Sequence, residues 1–79
     1  MRTMAKAFLK INVEAGKERE VCERLRELDA VTSADLTTGD QDIIAVVESA
    51  SYESLLRTIV EELRRIDGIA STSTSLVLE

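Results

Sequence analysis

Thr38-Gly39-Asp40-Gln41-Asp42 stands at the midpoint of the chain, and the hydrophobic period on either side of it follows the same plan. Ahead of it the pattern runs strand, helix, strand; beyond it the pattern runs strand, helix, strand. That order is a split β-α-β unit used twice, βαββαβ, and it accounts for nearly all of the 79 residues. The pentapeptide itself reads as the turn between the halves, because Gly39 reaches positive φ without steric cost.

Working outward, Ile43-Ile44-Ala45-Val46-Val47 is apolar on both faces, the pattern of a central strand covered on both sides. Ser51 is placed to cap a helix, and Glu53 falls in its first turn, where the helix dipole favours an acid. Leu55, Leu56, Ile59, Val60, Leu63 and Ile66 form its apolar stripe, Gly68 follows as a C-terminal cap, and residues 69–78 close the chain as a Ser/Thr-rich strand. On the other side of the turn, residues 31–37 read as a short polar strand suited to a sheet edge. Residues 17–28 carry a helical stripe of Val21, Cys22, Leu25 and Leu28, and residues 5–13 alternate, with Ala7, Leu9, Ile11 and Val13 opposite Lys6, Phe8, Lys10 and Asn12. The expected fold is α+β, a four-stranded antiparallel sheet with two helices on one face. The second face would carry Phe8, Ile44 and Val46, and an apolar patch on so small a domain marks an interface, so dimerisation through the sheet is expected.

Composition narrows the function. Ten basic against fifteen acidic residues give a net charge of −5, which opposes a phosphate backbone, so direct nucleic-acid binding is not expected. Phe8 and Tyr52 are the only aromatics, too few for the base-stacking sheet of an RNA-recognition domain. No apolar run reaches the roughly 18 residues of a membrane span, and the first residues lack a signal peptide's apolar segment, so the expected compartment is the cytoplasm. The absence of His removes the usual neutral-pH acid–base and imidazole chemistry. Cys22, the single cysteine, reads as a small buried hydrophobe. No phosphate-cradling glycine loop occurs, and no cofactor, metal or catalytic residue is expected.

Two segments have binding chemistry. In the central turn, free N–H groups near Gly39 suit a carboxylate, while Asp40 and Asp42 suit an ammonium, although hairpin chemistry alone also explains these residues. Thr72 and Thr74 point the same way from one strand and present adjacent hydroxyls, which a polar sheet edge also explains. A turn carboxylate at the surface adds little to a core, so Asp42→Ala is expected to leave the fold intact.

Three motifs in order resemble the ligand-binding domain of the Lrp/AsnC (feast/famine) regulators. Ile11-Asn12-Val13-Glu14-Ala15-Gly16-Lys17-Glu18 is similar to that family's first strand and loop. Thr38-Gly39-Asp40-Gln41-Asp42-Ile43-Ile44 is similar to its central T-G-x-[YF]-D signature, with Gln41 where the family usually has an aromatic. Ile66-Asp67-Gly68-Ile69, Thr72-x-Thr74 and Leu76-Val77-Leu78 resemble its closing segment. The resemblance spans nearly the whole chain and implies a ferredoxin-like fold, a sheet-to-sheet dimer, rings of dimers, and amino-acid effectors held between dimers. It implies a single domain of the RAM type over residues 1–79, with no helix-turn-helix ahead of it.

Carried over by residue, the resemblance implies that Gly39 offers backbone to the effector and that Asp42 organises the turn or meets the ammonium. It implies hydrogen bonds from Thr72 and Thr74. Asp40 and Glu62 are weaker members of the same ligand set. The expected function is that of a non-enzymatic amino-acid sensor that modulates transcription through assembly, with itself or with full-length regulators of the family. Two other readings stand beside it. One is a small dimeric α+β-barrel enzyme of the monooxygenase type, against which the lack of His and Trp counts. The other is an ACT-type regulatory domain, whose Asp-x-Pro-Gly loop has no counterpart in Asn12-Val13-Glu14-Ala15-Gly16.

Overall fold

The computed structural model describes residues 4–39 and 42–78. In chain order the elements are β1 (Ala5–Val13), α1 (Glu18–Arg26), β2 (Val31–Leu36), β3 (Ile43–Ser49), α2 (Tyr52–Glu61), a 3-10 turn (Leu63–Arg65) and β4 (Ile69–Val77). The strands form one antiparallel sheet in the order β2-β3-β1-β4, so each helix crosses over an intervening strand, as in the ferredoxin-like α+β fold.

Strict alternation in β1 decides which way the sheet faces. Ala5, Ala7, Leu9, Ile11 and Val13 are buried beneath the helices together with Ile43, Ala45 and Val47 of β3. From the helices, Val21, Cys22, Leu25, Leu55 and Ile59 close over them, and Leu63 of the 3-10 turn completes the core. The core is aliphatic throughout, and truncating one of its leucines to alanine costs about 2–5 kcal/mol in comparable sites.

Strand β3 is covered on one face rather than on both, which leaves Ile44 and Val46 beside Phe8 on the second face, where the sequence pattern puts them. Ile43, Ala45 and Val47 are buried, but Ile44 and Val46 on the other face are only half-buried, because both helices lie on one side. The opposite face is open and is crossed by rows set by the strand register. Ser33, Val46, Phe8 and Ser75 form one row; Asp35, Ile44, Lys10 and Ser73 form the next. Phe8 remains 39% exposed at its centre, with the Lys6 ammonium 5.6 Å from its ring centroid.

The helices also differ in detail from their sequence patterns. Helix α1 ends at Arg26, and Leu28 packs against the core from the turn beyond it. Helix α2 begins with a full capping box: Ser51 accepts from the Ser54 N–H while the Ser54 hydroxyl accepts from the Ser51 N–H. Only part of its apolar stripe is inside. Leu56 and Val60 are exposed on a shoulder that also carries Tyr52, whose hydroxyl donates to the Val77 carbonyl on β4. Tyr52 is therefore a tie between α2 and the last strand.

The two sheet edges are treated differently. Strand β2 is short and bulged between Val31 and Ser33, and Arg26 of α1 reaches its edge, donating through Nε to the Ala34 carbonyl at 2.9 Å. The same carbonyl accepts a weak bond from the buried Cys22 thiol at 3.4 Å. Strand β4 has nine residues with neither charge nor proline, and it is the other edge.

Gly68 does not cap α2, which ends earlier; it forms the turn into β4. Its φ is +104°, its carbonyl accepts from the Glu14 N–H at 2.7 Å, and its α-carbon lies against α1. A β-carbon there would meet Val21 Cγ2 and Lys17 Cδ at 3.0 Å. Beside it the Lys17 ammonium bonds the Asp67 carboxylate at 3.0 Å, which by hydrogen bond and then by charge raises the Lys17 pKa above its ordinary value. Left-handed backbone alone costs a side chain about 1–2 kcal/mol. Gly68→Ala adds the collision with the branched Val21, so urea unfolding should show a loss of about 2 kcal/mol or more, and an unchanged midpoint would show that the turn relaxes freely.

Candidate functional site

The turn between β2 and β3 is held by a small set of backbone bonds that make Asp42 its fixed point. Thr37 N–H donates to the Asp42 carbonyl at 2.9 Å, and Asp42 N–H donates to the Ile11 carbonyl at 3.0 Å. The Asp42 side chain, half-buried, then accepts the Val13 N–H on Oδ2 at 2.9 Å. One carboxylate oxygen thus completes the end of β1 at the point where the β1–β4 register shifts. Gly39, exposed, takes a φ of +104° in the same turn. Asp40 and Gln41 lie outside the described residues.

Thr72 and Thr74 occupy β4 opposite Ile11 and Leu9, so both lie on the helix-side face of the sheet, at its edge. Thr72 is half-buried and Thr74 exposed. The row through Thr72 runs Thr72, Ile11, Ile43, which puts the Asp42 end of β3 two strand spacings away, roughly 10 Å, with β1 between. Within one chain, therefore, the two threonines share a face, and Gly39 and Asp42 share a turn. The pairs do not meet. Glu62 stands apart from both, exposed at the C-terminus of α2, where its N–H donates to the Thr58 carbonyl at 2.9 Å.

A shallow depression of about 160 Å³ lies along the start of β4, lined by Arg64, Ile69, Ala70, Ser71 and Thr72. Of these only Thr72 belongs to the ligand set read from the sequence. Arg64 gives none, because a basic residue closing a helical segment is ordinary dipole complementation. Among the described residues, no group of three His, Cys, Asp or Glu side chains is arranged to hold a metal ion, and no helix is long and apolar enough to cross a membrane.

The Asp42 bond revises one expectation. Removing the carboxylate leaves the part-buried Val13 N–H without its acceptor, a loss of about 1–3 kcal/mol. Asp42→Ala should therefore lower the urea midpoint, whereas Asp42→Asn, which keeps a carbonyl oxygen at that place, should recover much of the loss. Equal stability of all three proteins would remove the structural role.

Comparison with known proteins agrees with this architecture. The family model described as the Lrp/AsnC ligand binding domain matches residues 6–79. An uncharacterised HTH-type transcriptional regulator of Pyrococcus abyssi is 39% identical over 71 residues, which is 90% of this chain and 45% of that protein. The chain thus spans just under half the length of this curated relative. A hypothetical protein of Pyrococcus horikoshii, known by crystal structure, superposes with a TM-score of 0.89 at 35% identity, over 95% of this chain and 90% of that one. A Neisseria meningitidis transcriptional regulator solved as a complex with L-Met shares the fold at a TM-score of 0.82, with 21% identity over 95% of this chain and 50% of that one.

Proposed function

This chain belongs to the Lrp/AsnC ligand-binding-domain family, and on that premise we propose that it is an amino-acid-sensing module that acts by assembly rather than by catalysis. The observation that carries the reading is the family match over residues 6–79, joined to an open sheet face centred on Phe8 and Val46. The related Neisseria regulator was solved with L-Met, which makes a free amino acid the first ligand class to consider. The effector residues in this reading are Gly39, Asp42, Thr72 and Thr74, with Asp40 and Glu62 as lesser members.

The open face is fitted to a second copy. Its apolar centre is flanked by Lys6 and Lys10 on β1 and by Asp35 and Glu48 on β2 and β3, so a face-to-face pair can set lysines against acids. Both helices described here pack on the sheet, and the net charge of −5 opposes DNA, so influence on transcription would run through full-length regulators of the family as partners. The setting in this reading is the cytoplasm. The enzyme alternative has no favouring observation, since the depression beside β4 is shallow and the chain has no His.

Two measurements test the proposal. Screening the twenty amino acids by thermal unfolding should reveal at least one that stabilises the protein. A ligand at about 100 times its dissociation constant adds roughly 2.7 kcal/mol, which is about 10 °C or more for a domain of this size. No shift with any of them at millimolar concentration would leave an assembly module without a sensor. Light scattering at micromolar concentration should give at least the dimer mass, and Phe8→Asp should reduce it. A monomer mass for the parent would sink the assembly half of the proposal.

A further inference from the structure

Five described cations, Lys6, Lys10, Arg19, Arg64 and Arg65, lie within 4.0 Å of no described carboxylate. Lys17, Arg24, Arg26 and Arg57 each lie within 4.0 Å of a carboxylate, on Asp67, Glu27, Asp35 and Glu53 respectively. Arg64 pairs with no described carboxylate, although Glu61, Glu62 and Asp67 are all within three residues of it in sequence. What separates it from the other four unpaired cations is its place in the lining of the depression at the start of β4.

The other lining residues all come from β4. Ser71 faces the open side, where its hydroxyl accepts from the Asn12 side-chain amide at 3.2 Å and is thereby fixed in place. Thr72 faces the other way and is half-buried, and its hydroxyl makes no hydrogen bond to another described residue. Strand β4 is an edge, so its outer backbone groups are not taken by a neighbouring strand. A guanidinium that lines one depression with a hydroxyl and a strand edge suits the flat, two-oxygen geometry of a carboxylate, which arginine binds bidentately. The depression is too small and open for a whole drug-sized ligand, but it admits a head group.

We propose that the depression beside Arg64 binds the carboxylate of the amino-acid effector, with the Arg64 guanidinium as its counterion and the Thr72 hydroxyl as a second donor. The assignment of that carboxylate to an amino acid rests on the sensor reading above; the anion site itself does not. It adds to the ligand set a residue that the sequence motifs omit. It also separates two roles, because the carboxylate end is held at β4 while Asp42 in the central turn of a neighbouring copy suits an ammonium.

The competing role for Arg64 is complementation of the helix dipole at the end of the 3-10 turn, a role that Arg65 shares. The experiment compares the full chain with Arg64→Gln, Arg64→Lys and Arg65→Gln. The probes are acetate, L-methionine and 3-(methylthio)propylamine, which is methionine without its carboxylate. Nuclear magnetic resonance follows the Arg64 side-chain N–H and the Ser71 and Thr72 amides, and thermal unfolding checks that each variant folds. The proposal expects saturable shifts at these three residues with acetate, no such shifts with the amine, loss of the shifts in Arg64→Gln, and their retention in Arg65→Gln. For an amino acid that stabilises the parent, Arg64→Gln should weaken binding roughly tenfold or more, with Arg64→Lys recovering part of it. Shifts spread over the surface, or identical in Arg64→Gln, would overturn the proposal. An amino acid that binds parent and Arg64→Gln equally would overturn it while leaving the sensor reading standing. Acetate shifts localised to Arg64, with no amino acid stabilising the fold, would overturn the sensor reading and leave a carboxylate site.

Discussion

Both helices lie on one face of the sheet, and most of this molecule follows from that. A βαββαβ chain has two crossover segments, and β1 and β3 are packed together at the centre of the strand order. With both crossovers on one side, each central strand must be two-faced. β1 meets the requirement by alternation, setting Leu9 and Ile11 inward and Phe8 and Lys10 outward. β3 does so less completely, because its outward residues Ile44 and Val46 are as apolar as its inward ones. An apolar outward face on a half-covered sheet is a mismatch for an isolated chain and a match for an assembled one.

The same one-sidedness distributes the charges. On the open face the cations belong to β1, as Lys6 and Lys10, and the acids to β2 and β3, as Asp35 and Glu48. In the register, Lys6 stands directly opposite Glu48, while Lys10 is separated from Asp35 by Ile44. Asp35 is also drawn toward the sheet edge by Arg26, whose guanidinium lies 3.8 Å away. These are exposed pairs of small individual value. In the proposed pairing their arrangement would matter more for orientation than for affinity, since complementary charge selects one way of docking over others.

The sequence made the fold legible because its strongest signals are periods, and periods survive without tertiary knowledge. The alternation of residues 5–13 and the stripe of Leu55, Ile59 and Leu63 define a sheet with helices on one side, and both are found inside. What stayed hidden depends on how elements meet. Leu56 and Val60 have the helical spacing of core residues, yet the helix rolls so that they stand outside. Gly68 has the look of a helix cap, but its need is a close approach to Val21 from a distant part of the chain. For the candidate site, the sequence identified the residue types with binding chemistry, while the long-range Asp42–Val13 bond and the lining role of Arg64 have no local signature.

The separation of Asp42 from Thr72 has a consequence for any small ligand. β1 runs between them with Ile11 buried in the intervening row, so within one chain the central turn and the β4 threonines stand roughly 10 Å apart, farther than the α-carboxylate and α-ammonium of one amino acid reach. Asp42 is further constrained because one of its oxygens already serves Val13. If the turn and the last strand do contribute to one site, the two halves must come from different copies, each chain offering its turn to one neighbour and its β4 depression to another. Binding would then be linked to assembly by mass action, since a ligand that requires two chains favours the assembled state in proportion to its differential affinity. A sensor built this way needs no hinge. In the proposed reading the signal would be the change in the population of assembled chains, and the open sheet face and the uncharged β4 edge would be the surfaces on which that population depends.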